Sequence, residues 1–245
     1  MLIDTHCHLE MCKNPEQAIK NAQEKNVLIV TQGVTPESNR KALELGKNIN
    51  VKVALGLYPL DCLKMSEEKI DAELQFIESQ KDKIIAIGEV GLDYKEDTKE
   101  QDRQREVFAE FIELAKDLDV PIIAHSRKAE EDCIQMLEDQ KAKKVVMHCF
   151  SGSLNLVRKI IANGWHLTIP TNAKFSEHFQ KVIAETPVEQ LLCETDSPYL
   201  HPEKHRDNEP ANVLASYEKI AEIKKLPLEQ IENQIESNYN RLFVK

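Results

Sequence analysis

Residues 2–8 read Leu-Ile-Asp-Thr-His-Cys-His (LIDTHCH), an apolar start running into two imidazoles separated by one residue. A strand points successive side chains to opposite faces, so His6 and His8 share one face, about 7 Å apart. Four further apolar runs close on similar residues: IIAIGEVG at 84–91, VPIIAHS at 120–126, KVVMHCF at 144–150 and QLLCETDSP at 190–198. They deliver Glu89, His125, His148 and Asp196. Four imidazoles and two carboxylates carried on strand ends form a donor set for one or two divalent cations. This points to a metallohydrolase.

The pattern between these runs sets the fold. Strand-like segments are predicted at 2–6, 27–32, 51–57, 84–90, 120–125, 144–149, 165–169 and 190–194. Helical patterns are predicted at 15–25, 36–47, 67–80, 99–118, 129–140, 154–163 and 176–185, with two more near 211–224 and 228–240. Asn14-Pro15 and Thr35-Pro36 place a capping residue before a first-turn proline, and Gly164 suits a helix C-terminus. Strands alternating with helices imply parallel βαβ units, and eight of them fit an α/β, (β/α)8 TIM-type barrel. An open doubly wound sheet is the alternative. At nearly 5 Å per strand it would hold the first, fourth, fifth, sixth and eighth strands too far apart to share a site. No linker or repeat interrupts residues 1–245, which are expected to form a single domain.

Composition narrows the function. Hydrophobic residues make up 41% and charged residues 30% of 245, ordinary for a globular chain. No apolar run of about 18 residues suggests a membrane span. The start MLIDTHCHLE lacks a basic n-region, so cytoplasmic location is expected. Six cysteines without a CxxC pair are expected to be free thiols in a reducing compartment. Cys7 should point away from the face of His6 and His8. The net charge of −10 argues against broad coating of a nucleic-acid backbone. It leaves room for local phosphate contacts.

Other residues join the site as candidates. Asp4 shares the face of His6 and His8. Glu89, beside Gly88 in an apolar strand, is expensive to bury unpaired and suits a carboxylate bridging two ions. Asp93, expected in the loop after that strand, either positions substrate or caps a turn. Arg127 either contacts a substrate anion or pairs with Glu130 or Glu131. Asp196 is the candidate metal ligand and proton acceptor, and Glu194 lies further down the same strand. Lys204, His205 and Arg206 form a small basic cluster in which Arg206 could clamp a phosphate. His166, His178 and His201 are read as structural or surface residues.

DTHCHLE, GEVGLDY, HSR, HCFSGS and ETDSPYL, in this order and near these spacings, resemble the TatD family of metal-dependent deoxyribonucleases. The resemblance spans essentially the whole chain. It implies a distorted barrel of the wider metal-dependent hydrolase group and a site that commonly holds two ions. By that pattern His6, His8, Glu89 and Asp196 hold one ion, and Glu89, His125 and His148 hold the other. Where the family often reads G-[IV]-H-P-H, this chain has Gly56-Leu57-Tyr58-Pro59-Leu60, so both histidines are replaced. The expected activity is hydrolysis of DNA phosphodiester bonds by an exonuclease working from a free end, on single-stranded substrate. The chemical alternative is an ester or amide hydrolase, including one for aminoacyl esters on tRNA. Imidazole-rich ligation favours zinc, manganese or iron, whereas the family is often active with magnesium.

Overall fold

The structure, a computed structural model, describes residues 1–96, 99–204 and 206–244. Eight parallel strands follow one another around a single sheet in chain order. They are β1 (Leu2–Cys7), β2 (Val27–Gly33), β3 (Val51–Leu55), β4 (Ala86–Asp93), β5 (Ile122–Arg127), β6 (Val145–Met147), β7 (His166–Pro170) and β8 (Leu191–Glu194). Between and after them run α1 (Pro15–Glu24), α2 (Pro36–Leu45), α3 (Pro59–Cys62), α4 (Glu67–Ser79), α5 (Gln101–Asp117), α6 (Glu130–Asp139), α7 (Leu154–Ala162), α8 (Glu177–Glu185), α9 (Leu214–Lys224) and α10 (Leu228–Phe243). This is the expected barrel, nearly closed and distorted. Among the described residues no helix is long and apolar enough to cross a membrane.

Local signals act where the sequence places them. The Asn14 side chain accepts a hydrogen bond from the Gln17 amide, and Thr35 forms a reciprocal capping box with Ser38. The short helix α3 was not anticipated. Pro59 starts it with a preset φ, directly after Tyr58. β4 differs most from expectation, beginning at Ala86 and running on to Asp93.

β1 and β8 meet at a seam held by scattered bonds. Thr5 Oγ1 donates to the Cys193 carbonyl at 2.9 Å, Asp196 N to His6 O at 2.9 Å, and His8 N to Ser197 O at 2.8 Å. The fully buried Tyr217 of α9 supports the seam, because its hydroxyl accepts from Ile3 N at 2.9 Å and donates to Ile3 O at 3.2 Å. Asn238 of α10 donates to the Val188 and Leu191 carbonyls, both at 2.8 Å. These contacts satisfy strand-end groups that would otherwise be buried and unpaired.

The β4–β5 contact is a close backbone approach near the strand ends. Gly91 has φ +145°, and a Cβ there would lie 2.1 Å from the His125 carbonyl oxygen. Gly164 also has positive φ, +72°, but an added Cβ would meet nothing within 4 Å. Gly91→Ala should therefore destabilise the chain by more than about 2 kcal/mol, since backbone must move. Gly164→Ala should cost only about 1–2 kcal/mol of backbone strain. Urea midpoints at constant m-value provide the comparison. Equal losses would mean that the close approach of β4 to β5 does not depend on the missing side chain.

Candidate metal centre

The inward delivery of the ligand-type residues begins with irregular strand pairing. The β1–β2 register shifts between Asp4 and Cys7, and the β4–β5 register shifts between Ile87 and Val90. These shifts bracket His6 and Glu89, and such irregularities re-aim side chains near functional sites. His8 follows β1, His125 lies within β5, His148 follows β6 and Asp196 lies just past β8. Asp196 has φ 53°, a left-handed conformation that aspartate tolerates better than most residues.

The other five side chains gather around the buried carboxylate of Glu89. On one side, Oε2 lies 3.5 Å from His6 Nε2 and 3.2 Å from His8 Nε2. Asp196 Oδ1 is 3.6 and 3.7 Å from the same two nitrogens, which are 3.3 Å apart. On the other side, Oε1 lies 2.7 Å from His125 Nδ1 and 3.3 Å from His148 Nε2. Donors about 2.1 Å from a shared ion in tetrahedral arrangement are about 3.4 Å apart, so most of these separations fit common coordination. Donor atoms of His6, Glu89 and His148, and of His6, His8 and Asp196, fall within 4.8 Å of one another in each group. The two clusters can each hold a metal ion. The His6 and His148 rings stack at 3.7 Å between centroids, so His6 borders both clusters.

Charge in this cavity is finely opposed. Burial would raise the Glu89 carboxyl, but His148 and His125 outweigh it and hold Glu89 well below the usual range. Burial, then the neighbouring His148, lowers His6 to about 4, which keeps that imidazole neutral as a metal ligand must be. His8 moves the other way, to about 9. Burial lowers it, but the adjacent Glu89 and Asp196 carboxylates prevail. His148 is also raised against burial, by Glu194 and Glu89. Burial lifts Asp196 to about 6. The carboxylates thus draw positive charge into the cavity, and divalent ions would supply it while releasing protons.

An outer ring of residues orients the inner one. His148 Nδ1 is 3.2 Å from Glu194 Oε2, and Glu194 Oε1 accepts from the Cys149 amide at 3.0 Å. With Nδ1 directed at a carboxylate, Nε2 is left to face the cavity. His8 Nδ1 is likewise 3.4 Å from the Gln32 carbonyl. Asp4 accepts from Thr195 N at 2.8 Å and Thr195 Oγ1 at 2.5 Å, fixing the turn that carries Asp196. The sequence placed Asp4 on this face but passed over the support from Glu194. Strand alternation, which gives Glu194 the parity of Asp196, was the available signal. Cys7 points away as expected, toward the Val30 carbonyl, and all six cysteines are free.

Asp93 is the last residue of β4, not a loop residue, and is fully buried. It accepts from the Tyr58 hydroxyl at 2.6 Å, Arg127 Nε at 2.8 Å and Lys95 N at 3.0 Å. Burial pushes its carboxyl up, but His125, Arg127 and Tyr58 outweigh that and hold it well below the usual range. The Tyr58 hydroxyl is also 3.3 Å from His125 Nε2. Arg127 pairs with Asp93 and with Glu96 at 3.0 Å, instead of Glu130 or Glu131. Arg206 sits on an exposed loop, paired with Glu203 at 2.7 Å. His205 lies outside the described residues. His166 is buried with Nε2 3.3 Å from Arg241, and His178 Nε2 is 3.0 Å from the Phe150 carbonyl, as structural roles require.

Comparisons with known proteins agree with this geometry. A family profile described as TatD related DNase matches residues 3–244. A metal-dependent hydrolase of Methanocaldococcus jannaschii is 36% identical over 98% of this chain and 96% of its own. The YabD metal-dependent hydrolase of Bacillus subtilis is 37% identical, with 99% of each chain covered. The human deoxyribonuclease TATDN3 is 34% identical over 100% of this chain and 95% of its own. The crystal structure of the TatD homolog YjjV from Escherichia coli superposes with a TM-score of 0.92 at 28% identity, covering 99% of this chain and 97% of that one. With a match running from Ile3 to Val244 and paired ligand clusters at the barrel's strand ends, the chain belongs to the TatD family of metal-dependent hydrolases.

Proposed function

We propose that the chain is a deoxyribonuclease that hydrolyses phosphodiester bonds from a free end of single-stranded DNA. Residues 1–245 would act as one catalytic unit, in the cytoplasm, where six free thiols stay reduced. The observation that carries this reading is the Glu89 carboxylate, which divides its two oxygens between paired clusters as a bridging ligand does. The human relative named as a deoxyribonuclease supports DNA as the substrate.

His6, His8, Glu89 and Asp196 would hold one ion, and Glu89, His125 and His148 the other. Bound divalent ions supply Lewis acidity, which activates water and offsets charge on the phosphoryl oxygens. Asp196 accepts the proton of the attacking water at its carboxylate. Arg127, fixed by Asp93 and Glu96, presents its guanidinium to a non-bridging phosphate oxygen. Arg206 contacts a phosphate further out along the strand. Asp93 acts on substrate through Arg127, and Tyr58 steadies both Asp93 and the His125 ring.

The direct test supplies metal-loaded protein with end-labelled linear single strands, the same sequence as a closed circle, and an acyl ester. Mononucleotides should be released from the linear strand, more slowly as salt rises. Equal cutting of the circle would eliminate the end-directed mechanism, and turnover of the ester alone would replace the nuclease reading.

Two substitutions separate the roles. Asp196→Asn keeps shape and one oxygen donor but removes the proton acceptor. Its single-turnover rate should fall by at least ~10²-fold while Glu89, His125 and His148 retain their ion. A rate within a few-fold of the parent would place the proton acceptor elsewhere. Glu194→Gln should act through His148 instead, weakening metal affinity by ~10–100-fold. Competition with a chromogenic chelator measures this directly, and unchanged affinity would remove Glu194 from the ligand-orienting role.

A further inference from the structure

Exposed large hydrophobic side chains are few among the described residues, and their distribution is uneven. Met1 and Val244 are chain ends, and Ile49 lies in the loop that enters β3. The other three, Met11, Phe175 and Tyr199, follow β1, β7 and β8. They therefore stand on the C-terminal side of the barrel strands, the side on which β1 and β8 deliver His8 and Asp196. Tyr199 at 56% and Phe175 at 41% are the exposed aromatic residues of this set.

Both residues lie on loops that leave the barrel strands, after β8 and β7. The Tyr199 amide donates to the Asp196 carbonyl at 2.8 Å, so the Tyr199 backbone is held one turn from the proposed proton acceptor. Its hydroxyl reaches Met11 Sδ at 3.9 Å. The loops of β7 and β8 are joined by Thr171 Oγ1, which donates to the Leu200 carbonyl at 2.7 Å. Lys204 Nζ, from the β8 loop, lies 4.3 Å from the centroid of the Phe175 ring. Lys174 is exposed beside Phe175. In a chain of net charge −10, Lys204 thus sets an ammonium group beside one of these exposed rings.

Single strands are gripped without sequence preference by aromatic faces that stack bases, set beside cations that follow the backbone. We propose that Tyr199 and Phe175 form a nucleobase-stacking subsite, with Lys204 and Lys174 meeting the phosphates between the stacked bases. The inference rests on the nuclease reading above and specifies how that site takes its substrate. Stacking holds unpaired bases and excludes a closed duplex. It is also indifferent to base identity, because every base has a π-face.

The test measures binding of metal-loaded enzyme to a hydrolysis-resistant phosphorothioate thymidine strand and to a matched strand of abasic sugar phosphates. Cleavage of ordinary single-stranded DNA is followed in parallel. The parent should prefer the base-bearing strand by roughly ten-fold or more. Tyr199→Ala and Phe175→Ala should each erode that preference, and the double variant should lose it with little change in binding of the abasic strand. Tyr199→Phe should retain it. A parent that cuts DNA yet binds the two strands equally would overturn the subsite and leave the nuclease reading standing. So would a double variant that discriminates as well as the parent. A parent that neither binds nor cuts any strand would overturn the nuclease reading, and the subsite with it.

Discussion

A carboxylate buried inside a barrel is expensive, and Glu89 is the group around which this fold is arranged. Removing an anion from water costs several kcal/mol unless opposite charge and hydrogen-bond donors are close. Glu89 receives His6 and His8 on one oxygen and His125 and His148 on the other. The imidazoles are in turn steadied from behind, His148 by Glu194 and His125 by the Tyr58–Asp93 pair. Along the His125 branch, carboxylate, imidazole and carboxylate alternate outward from Glu89 through Asp93 to Arg127, which pairs in turn with Glu96 near the surface. The register shifts in β1 and β4, and the close approach at Gly91, position these groups.

The strands and the six inner residues were legible because two independent signals coincided. Apolar runs of strand length marked the elements, and a metal-binding residue type closed five of the eight, β1, β4, β5, β6 and β8. Helix starts at Asn14 and Thr35 were legible because capping chemistry is local. The partners of Arg127 were not. Sequence proximity favoured Glu130 and Glu131, yet the parallel register of β4 with β5 sets Asp93 beside Arg127. Strand β4 outran its expected end for a related reason. Its continuation, Gly91-Leu92-Asp93, lacks an apolar run but pairs residue by residue with His125, Ser126 and Arg127. Tyr58 stood out only as a departure from the family pattern. Its bond to Asp93 depends on a turn into α3 that only the three-dimensional fold reveals.

The seam between β1 and β8 has a consequence for how the molecule comes together. Thr195 and Asp4, whose hydrogen bonds fasten it, are 191 residues apart in the chain. A contact of that span is slower to form than one between neighbouring strands, because closing so long a loop costs more chain entropy. His6 and His8 wait on one lip of the seam and Asp196 on the other. No contiguous fragment that stops short of either lip contains both halves of that cluster. The cluster of His6, His8 and Asp196 is therefore completed where the cylinder closes, whereas Glu89, His125 and His148 meet on the consecutive strands β4 to β6.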